Sequence, residues 1–169
     1  VNDPSSSNRK ITLYVVSEND AGNLGHTSQV TKNNIKNWLN HYIPINDSVE
    51  IKDAIIVNFT VDFTVMYDRN YDPDSVIFAC MEKLKTYFNE TLYIGEPLYL
   101  TKIYNTLNRV TGVADVKNVI VENKTDSGYS PTVLEMEDAM SKDGTYIKVP
   151  KNVILELKYP SLDIKGTVR

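Results

Sequence analysis

The chain has 169 residues with a single cysteine, and 22 acidic against 18 basic residues give it a formal net charge of −4. A chain of this length buries about two thirds of its unfolded surface, so neither disulfides nor a structural metal are needed for stability. The acidic balance argues against a nucleic-acid partner, and the lone Cys80 and the lack of a long apolar run predict a soluble protein from a reducing compartment, with no membrane segment.

The first ten residues predict a linker. Residues 2–8 read Asn-Asp-Pro-Ser-Ser-Ser-Asn, and the chain starts at Val1 rather than at methionine. Such a polar, turn-forming run is typical of a flexible connection. We therefore expect a flexible linker or fragment start over residues 1–10. A single α+β assembly domain is predicted over residues 11–169, as the C-terminal fragment of a longer chain.

A strand and a helix are the first predicted elements. Residues 11–16 form a β-branched and aromatic run that is typical of a strand. Residues 28–42 show helical spacing, with Trp38 on the apolar face, and Pro44 ends the helix. A lone tryptophan could anchor a partner protein. An aromatic residue at this spacing lies more often in the core, so a core position is predicted for Trp38.

Residues 49–67, which are rich in Val, Ile, Phe and Thr, predict the central strand. Their second half alternates apolar and polar residues, so one face should be covered and the other at least partly wet. The run exceeds the typical strand length of about five or six residues. It is therefore expected either to bend at a bulge or to be shared between two layers.

Two helices should follow the central strand. Asp72 and Pro73 are typical of a helix start, with Asp72 as the cap. Cys80 falls on the apolar face of this helix and is predicted to be a small buried hydrophobe rather than a nucleophile. The second helix follows Pro97 and stops at Gly112, where a left-handed cap is expected.

The last third of the chain predicts strands. The first covers residues 116–122 and is followed by a loop. Residues 133–140 and 145–149 are predicted to form a hairpin through the Asp-Gly pair at positions 143 and 144. The last strong strand is predicted over residues 153–159.

This order of elements predicts a two-layer α+β sandwich, with the helices on one face of a mixed, mostly antiparallel sheet. The other face or an edge of the sheet is then free to contact another protein chain. Eight apolar residues are predicted to lie in the core, namely Phe59, Val61, Phe63, Val76, Leu84, Ile103, Leu107 and Val119.

None of the candidate catalytic or metal motifs has the residues that its chemistry needs. Residues 68–74 resemble the front of a calcium-binding loop, but Pro73 replaces the turn glycine and Ala79 the bidentate glutamate, so a capping turn is predicted. The two histidines, His26 and His41, have no second ligand at metal spacing. No phosphate loop, nucleophile elbow or dinucleotide motif occurs. We therefore expect no enzyme activity, catalytic residue, metal or cofactor.

Four triplets, at Asn46, Asn58, Asn89 and Asn123, match the glycosylation acceptor pattern. The chain is rich in Asn and Thr, so chance matches are expected. Asn58 also falls within the predicted central strand, where a bulky glycan would be awkward. The triplets are therefore interpreted as chance matches.

Several short segments, taken in order, resemble a known family. They are the helix ending in Trp38-Leu39, the turn at 43–47, the strand entry at 49–54, the helix from 71–72 to 88–89, Gly112-Val113 with Asp115-Val116, and the ending at 163–166. In this order they resemble the baseplate J-like family of contractile phage tails, and within it the gene-product-six type of baseplate wedge subunit of T4-like phages. The resemblance covers residues 11–166.

The resemblance implies a structural role without catalytic residues. Wedge subunits of this family join neighbouring copies into a closed inner ring around the tail hub, and the ring rearranges when the sheath contracts. A virion protein of the tail baseplate, made and assembled in the host cytoplasm, is implied, with itself and other baseplate wedge proteins as partners. The family's long N-terminal portion is missing from this chain, so only ring-forming contacts are expected of it.

Two further functions stay open at this point. Two of the many acidic residues could converge in space, so a hydrolase with an unrecognised carboxylate or metal site is one alternative. A host-surface-binding tail module is the other. A deep pocket with convergent carboxylates favours a hydrolase, whereas a shallow surface with a tyrosine-rich or sheet-edge patch favours assembly or host binding.

Self-association as a symmetric pair is also predicted, because paired contacts between identical chains are the commonest symmetric solution. The chain has 11 tyrosines against 4 phenylalanines. Tyrosine tolerates being half wet before assembly and buried after it. The candidate interface residues lie at predicted element ends or in loops, and they are Tyr67, Tyr71, Tyr93, Tyr129 and Tyr159.

Overall fold

The structure, a computed structural model, describes residues 9–20, 22–44 and 47–169, without the side chains of Arg9, Glu90 and Thr91. Backbone contacts group the chain into two compact units, with the boundary between Ala54 and Ile55. The first eight residues of the predicted linker and two residues of the predicted turn at 43–47 lie outside the described ranges. The single domain expected over residues 11–169 stays a prediction.

The N-terminal unit is a small strand-helix-strand arrangement. Its elements are β1 (Arg9–Val15), β2 (Ser17–Glu18), β3 (Leu24–Gly25), α1 (Gln29–Asn40) and β4 (Asp47–Asp53). Strands β1 and β4 pair in parallel, as a helical crossover requires, and β2 pairs with β3 in antiparallel orientation. Ser28 caps α1 by accepting the N–H of Thr31 at 3.1 Å. The predicted first strand and first helix are confirmed, although β1 begins inside the predicted linker.

The C-terminal unit is built around one long strand. Its elements are β5 (Ile55–Tyr67), α2 (Pro73–Thr91), β6 (Leu98–Tyr99), α3 (Leu100–Asn108), β7 (Val113–Asn123), α4 (Met136–Ala139), β8 (Tyr146–Ile147), β9 (Val153–Glu156), α5 (Pro160–Asp163) and β10 (Ile164–Val168). Strand β5 pairs with β7 in antiparallel orientation, and with β9 and β10 in parallel. Strands β6 and β8 form a separate short antiparallel pair. The predicted strand over residues 49–67 is therefore two strands, shared between two sheets.

The alternation along β5 decides which face is covered. Phe59, Val61, Phe63 and Val65 are all buried, whereas the residues between them are half-buried. Helix α2 packs on β10, α3 packs on β7 and α2 contacts α3, so the helices cover the apolar face. All eight residues predicted for the core are buried. Each contributes about 1.5–3 kcal/mol through removal of apolar surface from water.

The α+β class and the mixed sheet are confirmed. Antiparallel pairing does not predominate, however, because β9 and β10 both run parallel to β5. Both strands follow helices or long loops rather than tight hairpins, and such connections bring a strand back in the same direction. Strand β10 was not predicted as a strand.

The predicted strand over residues 133–140 is wrong. Its second half forms helix α4, and only Met140 bridges to Ile147. Met, Glu and Ala are good helix formers, and this local preference prevails where no neighbouring strand pairs with the segment. The turn itself is confirmed, since the Gly144 N–H donates to the Ser141 carbonyl oxygen at 2.9 Å and Gly144 has a φ of +68°.

The predicted start of α2 is confirmed, but α3 ends at Asn108, before the predicted stop at Gly112, because a turn closed by the Val113 N–H on the Val110 oxygen separates the two. The Asp72 carboxylate accepts the N–H of Ser75 at 2.9 Å, and Pro73 opens the helix. Gly112 has a φ of +92°, the left-handed conformation expected where α3 gives way to β7. Among the described residues, no helix combines the length and the apolar character that crossing a membrane requires.

Candidate functional site

The five tyrosines predicted for an interface have different surroundings. Tyr71, Tyr93 and Tyr159 are exposed, whereas Tyr67 and Tyr129 are half-buried. Tyr129 and Tyr159 are the one pair among the five whose rings touch in the described part of the chain, edge to face with centroids 5.4 Å apart. The structure therefore brings two of the five together, and the interface assignment of all five stays a prediction.

Tyr129 is engaged inside its own unit. Its hydroxyl donates to Asp163 Oδ1 at 2.6 Å, and the Tyr159 backbone N–H donates to Asp163 Oδ2 at 2.8 Å. Burial and then the hydrogen bond to Asp163 raise the pKa of Tyr129 well above its usual range. Asp163 itself is buried. The network fastens the loop after β7 to α5, so Tyr129 supports the fold.

A second buried polar cluster holds the same loop. Asn58 in β5 donates through Nδ2 to Glu156 Oε2 at 2.7 Å and accepts the Ser130 N–H at 2.7 Å. Its backbone oxygen also accepts the Lys124 N–H at 2.9 Å. Asn58 is therefore unable to carry a glycan in the folded chain, in agreement with the interpretation of its triplet as a chance match. Sequence reasoning missed this cluster, although an amide inside an apolar strand is a signal for one.

The groups considered for metal and nucleophile chemistry are structural. Asp68 Oδ1 accepts the Asn70 N–H at 3.0 Å, and Asp72 caps α2, so residues 68–74 form the predicted capping turn. No cluster of three or more potential ligands occurs among the described His, Cys, Asp and Glu residues. Cys80 is fully buried, and burial raises its pKa to about 11, as expected for a buried hydrophobe.

The C-terminal end of helix α1 and the turn that follows it expose a pair of large aromatic side chains. Trp38 is 61% exposed and Tyr42 72% exposed, and their ring centroids lie 4.8 Å apart. The core position predicted for Trp38 is therefore wrong. No side chain of α1 is buried, and Val49 and Ala54 are the buried apolar residues among those described in this unit. A two-stranded sheet is too narrow to cover the helix, which leaves the aromatic pair in water.

A basic groove separates α1 from β4 in the same unit. It has a volume of about 340 Å³, and Lys10, Lys32 and Lys36 are among its lining residues. Lys32 pairs with Asp53, and Lys10 pairs with Glu50 at 3.0 Å. The hydrogen bond from Lys32 lowers the pKa of the Asp53 carboxyl group, and the hydrogen bond from Lys10 lowers the pKa of the Glu50 carboxyl group. Two of the three lysines are therefore already neutralised.

The sheet of the C-terminal unit has a polar face opposite its core. Thr60, Asp62 and Thr64 of β5 lie there, and the registered partners of Asp62 are Ile120 in β7 and Lys165 in β10. Asp62 Oδ1 is buried without a hydrogen-bond partner among the described residues. Thr64 and Thr167 share a hydrogen bond of 2.9 Å across β5 and β10. This face is the partly wet face that the alternation of β5 predicts.

A larger groove than the basic one lies along β7 in the C-terminal unit. It has a volume of about 610 Å³ and is bordered by β7, the first residue of α3 and helix α4. Its lining residues are Leu100, Val119, Ile120, Val121, Glu122, Asn123, Glu135, Met136, Glu137, Asp138 and Met140. Apolar side chains and four carboxylates share this groove, whereas no Lys or Arg is present in its lining. The order of elements along the chain did not indicate it.

No protein-family model matches the chain, and no curated protein sequence matches it.

Proposed function

We propose that this chain is an assembly domain of a contractile-tail baseplate wedge, which joins neighbouring subunits of the inner baseplate ring through protein contacts alone. Its proposed place is the tail baseplate of a virion. Its proposed partners are further copies of the chain and other baseplate wedge proteins. Catalysis, cofactors, nucleic acid and membranes have no part in this role.

The exposed Trp38–Tyr42 pair is the observation that carries the proposal. The two rings contact each other in water, with 61% and 72% of their side chains exposed. Tryptophan and tyrosine are the residues most enriched at the energetic centres of protein interfaces. Helix α1 packs on β4 through half-buried residues such as Ile35 and Leu39, and Trp38 is not among them, so packing within the unit does not account for the exposed aromatic pair. A contact with another protein chain would remove this apolar surface from water.

The segments behind the family resemblance also support the proposal. Gly112 takes a positive φ of +92° at the α3–β7 turn, and Gly166 lies against the ring of Phe63 in the paired strands β5 and β10. The positive φ restricts the residue type at Gly112, and the ring of Phe63, which a side chain would meet, restricts it at Gly166. Two of the segments that carry the resemblance therefore contain a glycine that this fold requires.

Electron microscopy with an immunogold-labelled antibody against this chain tests the proposed role. The sample is a preparation of contractile-tailed particles from the source culture, and the preimmune antibody is the control. We expect label at the baseplate end of the tail. Label at the tips of tail fibres would overturn the proposal in favour of a host-surface-binding module. Label along the sheath, or none above the control, would also overturn it.

A further inference from the structure

The outer edge of β7 carries backbone groups that no strand pairs. The Lys124 N–H points towards β5, where it donates to the Asn58 oxygen at 2.9 Å. The Val119 N–H points the other way and donates to Tyr104 Oη at 3.1 Å. Backbone direction alternates along a strand, so the N–H and C=O of Val121 also point away from β5. Neither group has a hydrogen-bond partner among the described residues.

The groove beside this edge is held open by side-chain contacts. Asn123 Nδ2 donates to the Leu134 oxygen at 2.7 Å, and Asn123 Oδ1 accepts the Leu134 N–H at 3.0 Å. This double contact anchors the segment that leads into α4, which forms the far wall. The resulting space of about 610 Å³ borders the free edge of β7 at Val121.

The lining combines an apolar floor with an acidic rim. Leu100 and Val119 are buried, and Ile120 is 45% exposed. The four carboxylates of the lining are Glu122, Glu135, Glu137 and Asp138. In the described part of the chain, none of the four forms a salt bridge. Four unneutralised acids on one groove favour a cationic occupant.

We propose that this groove binds an extended, basic peptide segment of another protein chain, which adds a strand to the edge of β7. The backbone of the segment pairs with the N–H and C=O of Val121. Apolar side chains at alternate positions contact the floor, and Lys or Arg side chains between them reach the acidic rim. This assignment goes beyond the baseplate role and does not depend on it, because it rests on the groove alone.

A synthetic peptide tests the proposal directly. The probe is the capped heptapeptide Lys-Val-Lys-Val-Lys-Val-Lys with a fluorophore, and the control peptide has Glu in place of each Lys. Fluorescence anisotropy of the probe with the full chain is expected to show saturable binding that weakens as salt rises. The acidic peptide is expected not to bind. Equal binding of the two peptides, or no binding of the basic one, overturns the proposal.

Two variants locate the binding on the chain. Val121→Pro removes the outward N–H without removing a β5–β7 hydrogen bond. Because the probe then loses one backbone hydrogen bond to β7, its affinity should fall by about tenfold. The double variant Glu122→Gln/Glu137→Gln should weaken it by about fivefold through the lost charges. The matched control, Glu82→Gln/Glu96→Gln, removes the same charge outside the groove and should bind like the original chain.

The outcomes separate this inference from its competitors. Circular dichroism shows whether Val121→Pro remains folded, and the double variant decides the question if it does not. Unchanged probe binding by the folded variants overturns the proposal. The proposal is also overturned if the original chain does not bind the probe and Val121→Pro abolishes self-association. A second copy of this chain would then occupy the groove.

Discussion

Gly166 lies directly against the ring of Phe63: a Cβ on Gly166 would stand 2.4 Å from Phe63 Cζ. The two residues are registered partners in the parallel pair β10–β5. Phe63 is buried on the face that the helices cover, so its ring has little room to move. Strand β10 therefore pairs closely with β5 because the residue opposite Phe63 has no side chain.

Gly166→Ala is expected to lower the free energy of unfolding by about 1–3 kcal/mol, the usual cost of overpacking a filled core. Urea unfolding followed by circular dichroism measures the change. Gly25→Ala is the control, because no atom lies within 4 Å of a Cβ there. Combining Gly166→Ala with Phe63→Leu should cost less than the sum of the two single changes, since the smaller side chain vacates the contested space. Strict additivity would contradict the contact.

Gly112→Ala should destabilise the chain more than Gly128→Ala. Both glycines are left-handed, with φ of +92° and +93°, so both changes carry a strain of about 1 kcal/mol. A Cβ at Gly112 would also stand 2.7 Å from Val76 Cγ2, whereas nothing lies within 4 Å at Gly128. The difference in unfolding free energy between the two variants isolates the packing cost, expected at about 1 kcal/mol or more. Equal losses would show that backbone strain alone matters.

The alternation of β5 made much of the C-terminal unit predictable. Phe59, Val61 and Phe63 follow a period of two, and helical spacing after Pro73 fixes the layer that covers them. Strand β10 is not predicted from the sequence because Lys165 and Gly166, two residue types that are depleted in strands, interrupt its five residues. Its place in the sheet comes from pairing with β5, a contact about a hundred residues away along the chain.

The surfaces were less predictable than the core. Trp38 has core spacing in the sequence, but its exposure depends on how few strands lie beneath α1. The groove along β7 depends on which edge of that strand stays unpaired, and on helix α4, whose residues read as a strand. Local patterns report which face of an element is apolar. They do not report whether another element is present to cover it.

Tyr129 should make the stability of the chain depend on alkaline pH. Burial raises its pKa above the value of about 10 that tyrosine has in the unfolded chain, so folding favours the protonated hydroxyl. That contribution is fully present below about pH 10 and is lost as pH rises further. Unfolding free energies measured between about pH 9 and pH 11 should therefore fall more steeply for the original chain than for Tyr129→Phe.

Tyr129→Phe should also cost about 1–3 kcal/mol near neutral pH, because the buried Asp163 carboxylate loses the hydroxyl that donates to it. Tyr93→Phe is the matched control, since Tyr93 is 66% exposed and its replacement should leave the stability near neutral pH unchanged. Identical alkaline profiles for the original chain and Tyr129→Phe would contradict a half-buried Tyr129 whose hydroxyl donates to Asp163.

The exposed Trp38–Tyr42 pair should govern self-association. Replacing Trp38, near the end of α1, and Tyr42, in the turn after it, with alanine removes rings that are mostly exposed, so the free energy of unfolding should change by less than about 0.5 kcal/mol per site. Truncating aromatic residues at the centre of an interface typically costs about 2 kcal/mol or more in binding. The double alanine variant should therefore keep its free energy of unfolding but lose self-association.

Sedimentation velocity across a wide concentration range provides the test. The original chain is expected to shift from monomer to a pair as concentration rises, and the double variant Trp38→Ala/Tyr42→Ala to stay monomeric at concentrations where the original chain pairs. The variant Tyr71→Ala/Tyr93→Ala, which alters two of the exposed tyrosines predicted for the interface, compares the two surfaces directly. If only this second variant loses the pair, the interface lies in the C-terminal unit and not on α1. A chain that stays monomeric at every concentration would contradict the predicted symmetric pair. An interface of the usual size of about 1,600 Å² should produce detectable pairing at high concentration.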